Sequence, residues 1–450
     1  MRLVVQERLE LEGLEPARPD HAVLIESLRQ RFTYDNPVYR DARRFRRPCR
    51  HLPHTVDLFE SSGPESVSLP RGGLAWVSRQ LGPEVLPIQD RTAAPPADLP
   101  AFRGELRDYQ AAAVDAAVAA RDGVIQAPTG SGKTVIACAL AARLQTRTLV
   151  IVHTSVLLEQ TAEKFRQFLG IEPGIVGAGR DDWSDVTIAM VQTLQRRDIA
   201  PLRDAFGLVI LDECHHCPAE TFKSVVQRLS ARWRIGLSAT PTRKDRLHPV
   251  LFDVVGPIVY AVKPKTLVAD GSIAPSEVVE VETAFKGAFR NNYGGLVSRL
   301  SKDPARNALI VQSVQAHRGE RSLVLSDRVE HCRLLGAALA LAGLPVAVLT
   351  GDLAKEVREQ VLGRFVSGEI TVLVATTALV GEGFDLPAID TVFLTTPNGN
   401  VARTTQALGR ALRPSAGKTS GRIVDFVDAQ VPLLRNQARK RAGVYRGFEK

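Results

Sequence analysis

Gly123-Val-Ile-Gln-Ala-Pro-Thr-Gly-Ser-Gly-Lys-Thr-Val-Ile136 decides the fold. Val124 and Ile125 end an apolar strand-like run, and helix spacing begins again at Val135. Between them Ala127-Pro128-Thr129-Gly130-Ser131-Gly132-Lys133-Thr134 follows the pattern G-x-x-x-x-G-K-[ST], with Ala127 in place of the first glycine. A strand, a glycine loop and a helix in this order hold phosphates on backbone N–H groups and the helix N-terminus. Lys133 is placed to reach the β- and γ-phosphates and the Thr134 hydroxyl to bind Mg²⁺. The expected nucleotide contacts are Pro128, Thr129, Gly130, Ser131, Gly132, Lys133 and Thr134.

Working outward, Thr148–Val152, Val186–Met190, Leu208–Leu211 and Arg234–Leu237 read as further buried parallel strands. Val135–Arg143 and Ser155–Leu169 carry helix spacing. Alternation of this kind over Leu106–Val262 is a doubly wound α/β domain. Asp212-Glu213-Cys214-His215 closes one strand, 78 residues after Thr134 (212 − 134). There Asp212 would hold Mg²⁺, and Glu213 would orient and deprotonate the attacking water. Cys214-His215-His216-Cys217 has the spacing of half a zinc site. No second Cys-x-x-Cys or paired histidine completes it, so His215 goes to the ATPase motif and the cysteines to packing.

The alternation resumes after residue 305, with strands at Ser322–Ser326, Pro345–Leu349, Thr371–Ala375, Thr391–Leu394 and Arg422–Val427. The fold class is therefore α/β: two tandem doubly wound parallel-sheet domains behind a small N-terminal module. Thr92-Ala-Ala-Pro-Pro-Ala-Asp-Leu-Pro100 is a Pro/Ala linker between the module and the first α/β domain. The expected boundaries are 1–98 for the module, 99–262 and 305–432 for the two domains, 263–304 for the connection and 433–450 for a basic tail. Residues 1–90 show little periodicity.

At 450 residues the chain exceeds one compact core. A net charge of +9 suits a polyanionic partner. Five scattered cysteines point to a reducing cytoplasm rather than a disulfide framework. Met1–Leu14 lacks the apolar core of a signal peptide, and no run of eighteen apolar residues predicts a membrane span. Arg40-Asp-Ala-Arg-Arg-Phe-Arg-Arg-Pro-Cys-Arg50 is either a track for phosphates with one stacking ring or a solvated charge run.

The phosphate loop, Asp212-Glu-x-His215, Ser238-Ala239-Thr240 and Gln406-x-x-Gly-Arg410-x-x-Arg413 stand in the order of superfamily 2 helicases. The chain resembles that family over about residues 104–430, and most resembles the branch containing the xeroderma pigmentosum group B (XPB) helicase and its bacterial relatives. The resemblance implies two RecA-like domains of the DEAD/DEAH-box type, with ATP and Mg²⁺ in the cleft between them. It implies that Gln110 of Leu106-Arg-Asp-Tyr-Gln110 reads adenine, and that Ser238, Ala239 and Thr240 couple hydrolysis to movement. Arg410 and Arg413 match the arginine fingers, Gln406 contacts the γ-phosphate region or His215, and Gly383 and Asp385 face the nucleotide. His153, Thr154, Arg180, Thr193 and Thr376 fall where the family grips the nucleic-acid backbone.

Two departures stand out. The branch carries Arg-Glu-Asp after the third motif, where this chain has Arg243-Lys244-Asp245, so the strand-separating role of that element is not carried over. The connection 263–304 is short for the branch's gripping insertion. Asn36-Pro-Val-Tyr39 and Leu69-Pro-Arg-Gly-Gly73 resemble leader modules of some bacterial relatives.

The function expected is that of an ATP-dependent nucleic-acid translocase, a DNA helicase whose 3′-to-5′ polarity comes from the resemblance alone. The alternatives are a restriction, defence or repair motor that pumps duplex without unwinding, and a non-catalytic ATP-gated clamp. No His-x-Lys phosphodiesterase signature is present, so a nuclease partner would be a separate chain.

Overall fold

The computed structural model describes residues 1–82, 88–216, 224–241, 247–289, 292–381, 389–397, 408 and 420–446. The chain divides into two compact units, one of Met1–Ala127 and Gly132–Ala261, the other of Pro128–Ser131 and Val262–Lys450.

The first unit opens with β1 (Arg2–Val5), β2 (Leu9–Glu12), α1 (Pro19–Arg31), β3 (Thr33–Asp35), α2 (Pro37–Arg44) and β4 (Thr55–Asp57). Then come β5 (Glu60–Gly63), β6 (Ser66–Leu69), α3 (Leu74–Leu81) and β7 (Ile88–Asp90). Five of these strands form a sheet of order β5-β6-β2-β1-β7, and β3 pairs with β4 apart from it. The strands are only three or four residues long, which is why periodicity does not reveal them.

The large sheet of this unit comprises β8 (Asp122–Gln126), β9 (Thr148–Val152), β10 (Gly174–Gly177), β11 (Arg180–Asp181), β12 (Val186–Met190), β13 (Leu208–Asp212), β14 (Trp233–Ser238) and β15 (Ile258–Ala261). Its order is β11-β10-β12-β9-β13-β14-β8-β15. Every pairing is parallel except that of β10 with the edge strand β11. All five residues of β9 are buried, as a central strand covered on both faces requires. The helix α4 (Asp108–Ala120) precedes β8, and α5 (Lys133–Leu144), α6 (Ser155–Leu169) and α7 (Val191–Gln195) follow β8, β9 and β12. In α6, Leu158, Thr161, Ala162, Phe165 and Leu169 make one buried stripe. Thr154 caps its start, and Gly170 in the left-handed region ends it.

The small sheet and the large sheet share one core. Leu3, Leu9, Phe32, Leu69 and Val77 lie in the same buried cluster as Val124, Val209, Leu251 and Val255. Pro70-Arg71-Gly72-Gly73 forms the seam. Arg71, 1% exposed, pairs with Asp122 at 2.5 Å and donates to the carbonyls of Gln6, Ala231 and Arg232. Gly72 lies so close to the helix His248–Val255 that a Cβ there would meet the Phe252 carbonyl at 2.3 Å.

The second unit holds a six-stranded parallel sheet: β16 (Ser276–Glu282), β17 (Ser322–Ser326), β18 (Val346–Leu349), β19 (Val372–Thr376), β20 (Thr391–Leu394) and β21 (Gly421–Val427). The order is β16-β21-β20-β17-β19-β18, and all its pairings are parallel. β16 lies within the stretch 263–304 and pairs with β21 along its full length, from Ser276↔Gly421 to Glu282↔Val427. Val324, Val374, Phe393 and Phe426 centre the core of this unit. Arg306 and Asp428, both fully buried, pair at 2.8 Å beneath it.

Candidate ATP and nucleic-acid sites

In a parallel sheet, loops at the carboxyl ends of the strands build the site. The adjacent strands β13, β14 and β8 deliver Asp212-Glu213, Ser238-Ala239-Thr240 and the phosphate loop to one edge. The loop turns through positive φ at Gly130 (90°) and Gly132 (75°) before Lys133 starts α5. Gly132 has a second reason to lack a side chain, since a Cβ would sit 2.5 Å from Gln110 Nε2. Gln110 is buried, and its Oε1 accepts the Arg107 N–H at 3.0 Å. Its carboxamide is thereby held beside the loop. Ala127 is tolerated because its φ is not positive; its N–H donates to the Ser238 carbonyl at 2.9 Å.

Lys133 Nζ lies 3.2 Å from Glu213 Oε1 and donates to the Ala127 carbonyl at 3.4 Å. Glu213 has φ +46°, a strained backbone for a residue with a Cβ. Its N–H donates to Asp212 Oδ1 at 2.9 Å. His215 Nδ1 is 3.4 Å from Glu213 Oε2 and 2.9 Å from Ser238 Oγ, which in turn accepts the Thr240 N–H at 3.1 Å. Lys133, Asp212, Glu213, His215, Ser238 and Thr240 thus form one connected set. Ala239 is buried beside them, and Cys214 packs in the core under Gly236. Burial raises the Asp212 carboxyl to about 6, Glu213 adds to the rise, and Lys133 opposes it.

This set suits a magnesium nucleotide. Two neighbouring carboxylates, Asp212 and Glu213, face one ammonium, Lys133, a local excess of negative charge that a divalent cation offsets. Thr134 and Asp212 are the residues that would hold the cation. When bound, it would neutralise charge on the phosphate oxygens.

The other half of the sheet carries the backbone-grip candidates. His153 and Thr154 follow β9, Thr193 follows β12, and Arg180 opens β11. Thr154 Oγ1 is engaged in capping α6, accepting the Leu157 N–H at 3.2 Å. Arg180 pairs with Glu159, and the His153 carbonyl accepts from Gln192. In the second unit Thr376 ends β19. Ser326 closes the adjacent β17 and stands opposite Thr376 in the parallel register. Gly383, Asp385, Gln406, Arg410 and Arg413 lie outside the described residues, as do Cys217 and Arg243-Lys244-Asp245.

A phosphate loop joined to an acid pair and a Ser-Ala-Thr element, in a chain with tandem parallel sheets, defines a motor ATPase of the superfamily 2 class. The family model described as "Type III restriction enzyme, res subunit" matches residues 103–243, and "Helicase conserved C-terminal domain" matches 305–415. A "DNA 3'-5' translocase XPB2" of Sulfurisphaera tokodaii is 29% identical over 353 residues, 69% of this chain and 79% of that protein. A "DNA 3'-5' helicase XPB" of Mycobacterium tuberculosis is 31% identical over 329 residues, 69% of this chain and 58% of that protein. A putative HsdR subunit fragment of a type I restriction enzyme from Vibrio vulnificus shares the fold, with TM-score 0.57, 22% identity, and 72% and 64% of the two chains covered. The chain belongs to the superfamily 2 helicases, in their XPB-like branch, and its two parallel sheets are RecA-like domains.

Proposed function

We propose that this chain is an ATP-dependent DNA translocase with 3′-to-5′ polarity that separates strands as it moves. The observation that carries the catalytic part is the connected set Lys133–Glu213–His215–Ser238. DNA as the track, and its polarity, are supported by the printed activities of the XPB relatives.

In this reading Lys133 exchanges Glu213 for the β- and γ-phosphates. Glu213, released, accepts the proton of the attacking water. His215 passes the state of Glu213 to Ser238, and Ser238 to the backbone of Thr240, so the chemistry is felt in the loop that follows β14. Gln110 selects adenine. Arg410 and Arg413 stabilise charge on the γ-phosphate, with Gln406, Gly383 and Asp385 around the nucleotide. His153, Thr154, Arg180, Thr193 and Thr376 hold the strand by its phosphates.

The test is steady-state ATP hydrolysis without nucleic acid and with single-stranded DNA, forked duplex and RNA, at two salt concentrations. Stimulation by DNA that falls with salt is expected, and Lys133→Ala should abolish turnover while the fold persists. Wild-type turnover in Lys133→Ala sinks the catalytic assignment; indifference to DNA sinks the track. The basic residue Lys244 in Arg243-Lys244-Asp245 favours a second reading, translocation along duplex without unwinding. Triplex displacement without fork opening would select it.

A further inference from the structure

Arg40, Arg43, Arg44, Arg46, Arg47 and Arg50 stand against one acid, Asp41, within Arg40–Arg50, a net of +5 (6 − 1). All six arginines are exposed, and none forms an ion pair among the described residues. Arg40, Arg43 and Arg44 occupy one face of α2, at i, i+3 and i+4. Like charges at that spacing oppose helix formation, so α2 does not gain stability from them. The guanidinium carbons of Arg44 and Arg47 lie 5.6 and 5.7 Å from the centre of the Phe45 ring, which is itself 59% exposed. Both guanidinium groups lie within cation–π range of one exposed ring.

Arg46 is the sharper sign. Its φ is +53°, at the point where α2 ends and the Arg47 N–H reaches back to the Ala42 carbonyl at 2.8 Å. Glycine is the residue that ends a helix there without strain; this chain keeps a charge instead. The patch is also firmly seated. Asn36 caps α2 through Val38 and donates to the Pro53 carbonyl, and Tyr39 stacks on His54 at 4.1 Å. Behind it Arg31 and Tyr34 both bind Asp253 on the helix His248–Val255, so the patch is tied to the first RecA-like domain.

We propose that α2 and the turn after it form a phosphodiester-binding surface, a second grip on DNA that moves with the first RecA-like domain. The inference rests on the reading of the chain as a DNA motor and places on the N-terminal module a contact outside the ATPase motifs. The chemistry recognised is the sugar–phosphate backbone of single strand or duplex.

Cys49 lies within the patch and is partly exposed, whereas Cys138, Cys214 and Cys332 are buried. Its alkylation by maleimide in the full wild-type chain, read on the Cys49 peptide by mass spectrometry, is therefore a footprint. Single-stranded or duplex DNA, added without ATP, should slow it several-fold, and the form that slows it more identifies the track. Arg40→Gln, Arg43→Gln, Arg44→Gln and Arg47→Gln combined should lower the slope of log affinity against log salt by about 3, with basal ATP turnover unchanged. Arg46→Gly should weaken DNA binding while leaving the melting temperature equal or higher, a split that a merely structural residue does not produce; it keeps the test alive if the quadruple variant fails to fold. Unchanged Cys49 reactivity in a DNA-bound chain, or protection by anionic lipid vesicles and not by DNA, overturns the proposal and leaves the motor reading intact. Wild-type protein that binds no DNA at all overturns both.

Discussion

Glu213 shows how much of the proposed chemistry rests on one backbone angle. A glutamate at φ +46° is held there only because its surroundings over-determine it: Asp212 takes its N–H, and Lys133 and His215 flank its carboxylate. Glu213→Gln keeps the shape and removes the proposed base. Turnover should fall by about 10²-fold or more, while ATP affinity, measured with a fluorescent analogue, stays within a few-fold of wild type. Loss of affinity in parallel with rate would instead mean that Glu213 acts by setting the loop's shape. The sequence made Asp212, Glu213 and Lys133 visible through their spacing. It could not announce the strain, because a φ value is a property of packing. Nor did it show that Gln110 lies against Gly132, since one sits on α4 and the other in the loop before α5, and only the folded sheet brings them together.

At the scale of elements, polar groups buried between helices and strands do the pinning. Arg71 ties the turn before α3 to β8 and to the segment before β14. Arg71→Leu would leave Asp122 unpaired and three carbonyls unsatisfied. The expected loss is about 3–5 kcal/mol in the urea unfolding of the first unit, and a loss under about 1 kcal/mol would mean that the pair is replaceable by packing. In the second unit His331 joins three elements, with Nδ1 3.0 Å from Ser326 Oγ at the end of β17 and Nε2 2.9 Å from Asn307 Oδ1. Burial, with Arg306 adding to the effect, pushes its pKa down to about 3. A histidine lowered in this way is neutral when folded, so the unfolded chain binds the extra proton. Its stabilising contribution is full above about 6.5 and is lost as pH falls from there toward the folded value. Between pH 7 and 5 the wild type should lose roughly 2 kcal/mol more than His331→Gln; equal pH slopes would mean that His331 is already free to protonate. The parallel strands were legible because β9, β13, β17 and β19 each carry three or four consecutive apolar residues. The β1–β7 module was not, because its short strands bury at most three residues each and lean on a neighbouring domain for the rest of their core.

At the scale of the chain, that dependence makes the module part of the motor's first domain in an energetic sense. Leu3, Leu9, Leu69 and Val77 share a core with Leu251, Val254 and Val255. Arg234, fully buried on β14, donates to the carbonyl of Glu7 in the module as well as to those of Leu229 and Val254. Removing residues 1–90 would therefore do more than delete an appendage. It would bare the apolar face of the helix His248–Val255 and strip a buried guanidinium on β14 of one acceptor, four residues before Ser238 (238 − 234). A chain starting at residue 91 should bind a hydrophobic dye, melt well below the full chain and lose ATP turnover together with its fold, although every ATPase motif named above is retained. A truncated chain that melts like the full one and hydrolyses ATP at the same rate would show that the shared core is a docking surface between separately stable bodies. The patch on α2 would then be carried by a detachable arm, and the salt dependence of DNA stimulation should drop on truncation with no change in the maximal rate.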